Sequence, residues 1–464
     1  MIAAILVTVC LFQEADFRAE AAALIAEFAS DSITGRNEAA GKLEALAEKK
    51  GQGSLAVLRD AIAAEKDVQV RSYLTAVLGR LTNPRVLWAA VGGASDFYAA
   101  APVVAGDVCY CAGGNGLYAL DANSGGFLWR LEGDFQHARP AIFGTTVITP
   151  SPFNEPPGIQ ALEMKTGKVV WKHPLVDLRP DAARDQNPFI QDCSIVLDGD
   201  RVLTGTRAGS IVCLRAATGE RLWAPKSHHA SHTFWDPTVA GSRVLSADWN
   251  KSLCSFDAGT GKLQWEALIP GIGANPPTVI DDVAYAGTHE YVDGKERGEC
   301  IAISITDGRQ LWHTRVDNHG MKVISSAAAS GSRVAFQTDT HVVGLSKKDG
   351  RFEWSVPAKR FGYARLASDA NGCVFAGTDD MHLLAIAPTG RETMRLDIDA
   401  MPETKALPRV EMQAKGRDPI QAVGPVGDPI VIGRVLYVRT TSGIALAIRL
   451  PVFLTDGKPW EMTK

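Results

Sequence analysis

From residue 85 onward the chain is a succession of short segments in which apolar and polar residues alternate, each closed by a turn of Gly, Asp, Asn or Ser. Alternation puts every second side chain on one face and predicts half-buried β-strands. Their order repeats. A first strand starts near a proline or small residue, as in APVVAGD, RPAIFGT, DPTVAGS and PPTVIDD. A second ends in a small-residue step, as in VAYAGT, VFAGT and RVLTGT. A third reads LYALDA, IQALEM, IVCLRA or LCSFDA. A fourth follows a glycine turn and carries a tryptophan, as in NSGGFLW, KTGKVVW, ATGERLW, GTGKLQW, TDGRQLW and KDGRFEW. Four strands in about 42 residues, repeated in series, predict the blades of a β-propeller.

The fourth strands close at Trp88, Trp129, Trp171, Trp223, Trp265, Trp312 and Trp354, with Met394 in the remaining place. First strands start near Pro102, Pro140, Ser194, Pro237, Pro277, Ala327, Ala367 and Pro425, which also makes eight. Trp88 precedes the first complete blade, and the last unit, GPVGDPIVIGRVLYVRTTSGIALAI, has no tryptophan strand after it. The segment RVLWAA is therefore expected to supply the missing strand, closing the ring and hiding an edge. The tryptophans are predicted to fill the wedges between neighbouring blades and to give their indole N–H groups to backbone carbonyls. They are structural blade-docking residues and not a binding site. The expected fold is all-β: an eight-bladed β-propeller of four-stranded antiparallel blades, closed by an N-terminal strand and preceded by a small α-helical segment.

The pattern LYALDANSGGFLW resembles the tryptophan-docking repeat of PQQ-like β-propellers, over roughly residues 85 to 450. That superfamily includes quinoprotein alcohol dehydrogenases and non-catalytic scaffolds similar to BamB. The resemblance implies the fold, and both arms share it, so it does not choose between them.

Residues 15–83 are different. Ala, Glu, Leu and Lys dominate, and Val70, Leu74, Val77, Leu78 and Leu81 fall on one helical face. Leu55, Leu58 and Ile62 do the same one helix earlier. The segment DVQVRSYLTAVLGRL resembles the second helix of a HEAT-type repeat, and a helical cap is expected. Ahead of it, Ile2 to Phe12 form an apolar run too short to span a bilayer but of signal-peptide length. The expected organisation is a signal peptide over 1–14, a HEAT-like cap over 15–83, the propeller over 84–455 and a tail over 456–464. Export to the periplasm or another extracytoplasmic space is expected.

Net charge is −4 and the pI about 6.2, so there is no electrostatic footprint for nucleic acid. The eight cysteines, Cys10, Cys109, Cys111, Cys193, Cys213, Cys254, Cys300 and Cys373, read mainly as small buried hydrophobes. Cys109 and Cys111 share a strand face, where a bridge between them would strain the backbone.

Binding is expected on one face. In a propeller the blade-to-blade connections and the loops between second and third strands share a face. The long segments 172–188, 396–418, 151–158 and 288–299 all belong to it. The residues just ahead of the first strands should ring the channel mouth on that face. The binding candidates there are Arg139, Asp192, Trp235, Asp236, Asn275 and Arg365, with Ser325 beside them. His228, His229 and His232 near Asp236 read as a solvated polar loop, and no metal site or catalytic residue is expected. The function these features imply is a non-catalytic extracytoplasmic scaffold or binding protein. Its partner would be a protein, a peptide or a small polar ligand on the long-loop face. A monomer is expected, with peripheral membrane association compatible with export. The alternative is a dehydrogenase of alcohols or sugars dependent on PQQ and Ca²⁺. The resemblance would then demand a disulfide between adjacent cysteines, and the chain has no Cys-Cys pair.

Overall fold

The computed structural model describes the chain except residues 1–15, 51–52, 94–99, 136–138, 153–154, 176–194, 207–209, 225–235, 248–250, 274–275, 293–294, 317, 361–363, 408–425 and 452–464. Two compact units emerge: residues 1–86 with 448–458, and residues 87–447 with 459–464.

In the first unit, α1 (16–26) and a 3₁₀ turn at Glu27–Ala29 lead to α2 (Ile33–Lys50), α3 (Gly53–Ala64) and α4 (Val68–Thr82). Asp67 starts α4, its carboxylate accepting from the backbone N–H groups of Gln69 at 2.7 Å and Val70 at 3.1 Å, which satisfies two otherwise orphaned donors. The apolar stripe of α4 is buried through Val70, Leu74, Val77 and Leu81, which pack with Leu43 of α2 and Leu55 and Leu58 of α3 around Phe17 and Phe28. An open depression of about 800 Å³ lies beside α2 and α4, lined among others by Glu44, Tyr73 and Arg80. Arg80 and Glu44 pair there at 2.8 Å. No described helix is long and apolar enough to cross a membrane.

The second unit contains the eight antiparallel blades. Blades 1 to 7 use consecutive strands, beginning with Val103–Ala105, Val108–Gly113, Gly116–Asp121 and Phe127–Leu131. Blade 8 has the order Arg85–Val91, Ile444–Arg449, Val435–Arg439, Ile430–Ile432, so the strand carrying Trp88 closes the last blade as the pattern requires.

Two sequence expectations need correction. The first strand of blade 8 begins at Ile430, after Pro429, and not near Pro425. GPVGDP offers two prolines, and the second is the one that precedes the strand. Residues 288–299 are not an irregular loop either. Val283–Val292 and Lys295–Ser304 continue the second and third strands of blade 5 as a long hairpin, with pairing from Val283↔Ser304 to Val292↔Lys295.

The tryptophans join neighbouring blades. The indole N–H groups of Trp88, Trp129, Trp171, Trp223, Trp265, Trp312 and Trp354 donate to the carbonyls of Ala122, Met164, Ala216, Ala258, Ile305, Lys347 and Pro388, each in the following blade, at 2.7 to 3.2 Å. Each ring also lies on a turn glycine of that blade: Gly125, Gly167, Gly219, Gly261, Gly308, Gly350 and Gly390 in the same order. All seven have φ between +68° and +83°, and a Cβ on any of them would stand 2.4 to 2.8 Å from the indole. Glycine is thus required twice, for backbone conformation and for ring approach.

A small residue faces six of the rings across their own blades: Ala119, Ala161, Cys213, Ser255, Ala302 and Gly344 oppose Trp129, Trp171, Trp223, Trp265, Trp312 and Trp354. A register shift lies beside every one of these pairs, a β-bulge that re-aims the tryptophan. Met394 keeps the bulge and the small partner, Ala385. Its neighbour is blade 8, whose last two strands come from opposite ends of the chain, so no glycine turn joins them and an indole there would have no turn to dock on.

The six described cysteines, Cys109, Cys111, Cys213, Cys254, Cys300 and Cys373, are buried.

Gly219→Ala is expected to lower stability by roughly 1–3 kcal/mol, through its left-handed backbone and the clash with Trp171. Met394→Trp is expected to bring no gain. Urea unfolding followed by tryptophan fluorescence checks both; an unchanged midpoint for Gly219→Ala would contradict the docking account.

Candidate functional site

The first strands begin on the face that carries the blade-to-blade connections, so the residues ahead of them converge on the channel mouth. Arg139, Asp236, Ser325 and Arg365 are described there; Asp192, Trp235 and Asn275, and the His228–His232 segment, lie outside the described residues. The segments 172–188 and 396–418 are described only in part.

Arg365 and Asp236 form an ion pair through Nη2 and Oδ2, although 129 positions separate them. Asp236 precedes the first strand of blade 4 and Arg365 that of blade 7, so the pair reaches across the mouth from blades that are not neighbours. Asp236 is buried. Ser325–Ser326 pairs in parallel with Ala364–Arg365, tying the entrances of blades 6 and 7 together. The Ser325 hydroxyl is turned inward, accepting from the Gln337 backbone N–H at 2.6 Å.

Three further residues complete the cluster. Asp428 precedes the first strand of blade 8, and its Oδ1 accepts from the Arg365 backbone N–H at 2.8 Å. Arg360, between blades 6 and 7, reaches the same oxygen at 3.4 Å and donates from Nη1 to the Val426 carbonyl. Their side chains are 4% and 13% exposed, so this is a buried pair. Burial pushes the Asp428 carboxyl up, opposed by the guanidinium groups of Arg360, Arg365 and Arg139. Burial also pushes Arg139 down, and Asp428 opposes that shift. Arg439 is the third addition. It ends the second strand of blade 8, is fully buried, and donates from Nη1 to the carbonyls of Ala112, Gly93 (3.1 Å) and Gly92 (3.5 Å).

Sequence reasoning reached Arg139, Asp236 and Arg365 and missed Asp428, Arg360 and Arg439. Two of the missed residues had a signal. Asp428-Pro429 repeats Asp236-Pro237 at the same place in the blade, and the choice of Pro425 concealed it. Arg439 stands at a step that is glycine in three blades, in Thr204-Gly205-Thr206, Ala286-Gly287-Thr288 and Ala376-Gly377-Thr378, and glutamine in Phe336-Gln337-Thr338, all corresponding to Val438-Arg439-Thr440. Arg360 lies in a connection with no periodicity to mark it.

Asp428→Ala would leave Arg360 buried without its carboxylate and is expected to cost about 3–5 kcal/mol. Asp428→Asn, which keeps an acceptor for the Arg365 N–H, should cost less. Chemical denaturation of the two variants checks this, and equal losses would contradict the ion-pair account.

The family described as outer membrane protein assembly factor BamB matches residues 75–233 and 207–451. The outer membrane protein assembly factor BamB of Alkalilimnicola ehrlichii is 26% identical over 229 residues, 46% of this chain and 50% of that protein. The chain spans no more than half the length of the curated BamB relatives it matches. The crystal structure of BamB from Moraxella catarrhalis superimposes with a TM-score of 0.55 at 16% identity, covering 75% of this chain and 96% of that one. Quinohemoprotein alcohol dehydrogenase from Comamonas testosteroni gives 0.57 at 13% identity, covering 83% and 79%. These structural likenesses share the ring of blades and no more. With the repeats, the docking tryptophans and the family match in agreement, the chain belongs to the PQQ-like β-propeller family described as outer membrane protein assembly factor BamB.

Proposed function

We propose that the protein is a non-catalytic extracytoplasmic scaffold that docks a protein partner on the face bearing the blade-to-blade connections. The observation that carries the non-catalytic reading is the pairing of both described carboxylates at the channel mouth, Asp236 with Arg365 and Asp428 with Arg360. A quinone cofactor working with Ca²⁺ needs carboxylate or amide oxygens free for the cation and a carboxylate base beside its reactive carbonyl. Carboxylates committed to guanidinium groups fit neither task, so the described residues do not suit that group.

The docking reading draws on the same face. The blade 5 hairpin lifts Tyr291 into solvent at 71% exposure. Its base is pinned by Glu299, a buried carboxylate that accepts from His313 at 2.7 Å and Arg315 at 3.1 Å. Leu268, ending the fourth strand of blade 4, is 81% exposed, and Met321, ahead of blade 6, is 55% exposed. A rigid hairpin with exposed aromatic and aliphatic side chains near it suits protein recognition. The family's name supports a partner among the factors that assemble outer-membrane proteins, and the apolar run at residues 2–12 supports export.

A photo-crosslinking amino acid at Tyr291 is expected to capture one defined envelope protein, and the same group at Lys262, in a turn of the opposite face, is not. In parallel, PQQ with Ca²⁺ is expected to leave the melting temperature unchanged, where binding at 100 times Kd would add about 2.7 kcal/mol. Equal capture at both positions, or dye-linked oxidation of alcohols by the PQQ-treated protein, would overturn the reading.

A further inference from the structure

Among the described residues the channel mouth holds four guanidinium groups, Arg139, Arg360, Arg365 and Arg439, against two carboxylates, Asp236 and Asp428. The cluster is connected. Asp428 meets Arg360 and the Arg365 backbone, Arg365 meets Asp236, and the Gly427 N–H donates to the Arg439 carbonyl at 2.7 Å. Both carboxylates already have partners, which leaves an excess of positive charge among the described residues.

Arg439 identifies where. Its Nη1 serves three backbone carbonyls, yet Nε and Nη2 are buried and have no hydrogen-bond partner. Those two nitrogens form one edge of the guanidinium plane, the fork that takes both oxygens of a carboxylate side by side. A buried fork with both donors unused is costly to maintain in a folded protein. The repeat varies at this step. Blades 5 and 7 carry Gly287 and Gly377, where a Cβ would stand 2.3 Å from Val323 and 2.4 Å from the Val426 carbonyl oxygen. Blade 6 carries the buried Gln337, whose amide donates to the Gly377 carbonyl at 3.1 Å, and blade 8 carries Arg439. The acidic groups that act on Arg439 are the Cys111 thiol and Asp428.

The geometry points to a carboxylate-binding site at the channel mouth, with the Nε–Nη2 edge of Arg439 as its fork and the surplus charge of the arginine cluster as its field. This deepens the docking function proposed above and rests on it for the ligand's source: the carboxylate is carried by a small free acid or by the acidic end of a peptide. The fork fixes the orientation of the group, and the neighbouring arginines attract it to the mouth.

The test is calorimetric titration of the full chain with malonate, its neutral analogue malonamide, and a tripeptide in free-acid and amide forms. Malonate and the free acid are expected to bind, and malonamide and the amide are not. Tighter binding of the peptide acid would identify a peptide source, and binding of malonate alone a free acid. Arg439→Gln and Arg439→Lys should each weaken binding at least tenfold, since lysine keeps the charge and loses the fork. Cys111→Ser should leave it unchanged. Binding that appears only in Cys111→Ser would show that a thiolate occupies the fork, and would overturn the proposal. So would equal binding by Arg439→Gln, or no binding of either acid to the unaltered protein. Should the Arg439 variants fail to fold, crystals of the unaltered protein soaked in malonate decide: density on the Nε–Nη2 edge supports the site, and density elsewhere or none refutes it. Loss of carboxylate binding would leave capture at Tyr291 untouched, so the two readings fail separately.

Discussion

Everything in the second unit depends on how one blade is held to the next. A four-stranded blade buries little by itself, and a ring of such blades needs a contact that can be repeated without adjustment. The contact is an indole laid on a glycine turn, with its N–H given to the carbonyl close ahead of that glycine. Aromatic burial supplies most of the stabilisation, and the hydrogen bond adds about 1 kcal/mol while fixing the ring's direction. The bulge beside each tryptophan and the small residue opposite it follow from the same need, because a ring that must leave its own sheet requires a twist and a vacancy behind it.

Docking of this kind brings the inner strands' leading ends together at one mouth. Residues far apart in sequence then meet there, as Asp236 and Arg365 do. Charges in such a place are partly withdrawn from water and must find one another or pay for burial. The Arg360–Asp428 and Arg365–Asp236 pairs meet that demand, and they also stitch blades 4, 6, 7 and 8 at the centre, where the tryptophans at the periphery do not reach.

The fold was legible because it is written many times over. Eight copies of one strand order averaged out the weakness of any single strand, and the unpaired Trp88 strand announced the closure of the ring. The helical stripe of Val70, Leu74, Val77 and Leu81 was equally plain, since burial follows the 3.6-residue period directly. The site was legible only where it kept to the repeat. Arg139, Asp236 and Arg365 lie at one position of the blade and could be found by counting. Asp428 was hidden by a competing proline five residues away from where the strand allowed it to be seen. The hairpin at 283–304 misled for the opposite reason: Glu290, Lys295, Glu296 and Arg297 look like a solvated loop, and it is backbone pairing, indifferent to side-chain polarity at an exposed ladder, that makes them strand.

The missing tryptophan has its origin in how the ring closes. Blade 8 is assembled from the two ends of the propeller, so its third and fourth strands are not joined by a turn. Met394 replaces tryptophan because the turn it would dock on does not exist. Arg439 stands at a step that is glycine in blades 3, 5 and 7 and glutamine in blade 6. A repeat is constrained by its neighbours on both sides, and a position that loses one constraint can accept a residue the others must refuse. The tryptophan rule, kept at seven sites and broken at the eighth, therefore marks the seam. Met394 is explained by the seam alone. Arg439 is not: closure of the ring asks for a strand at Arg85–Val91, and nothing in that requirement calls for a buried guanidinium with an unused edge.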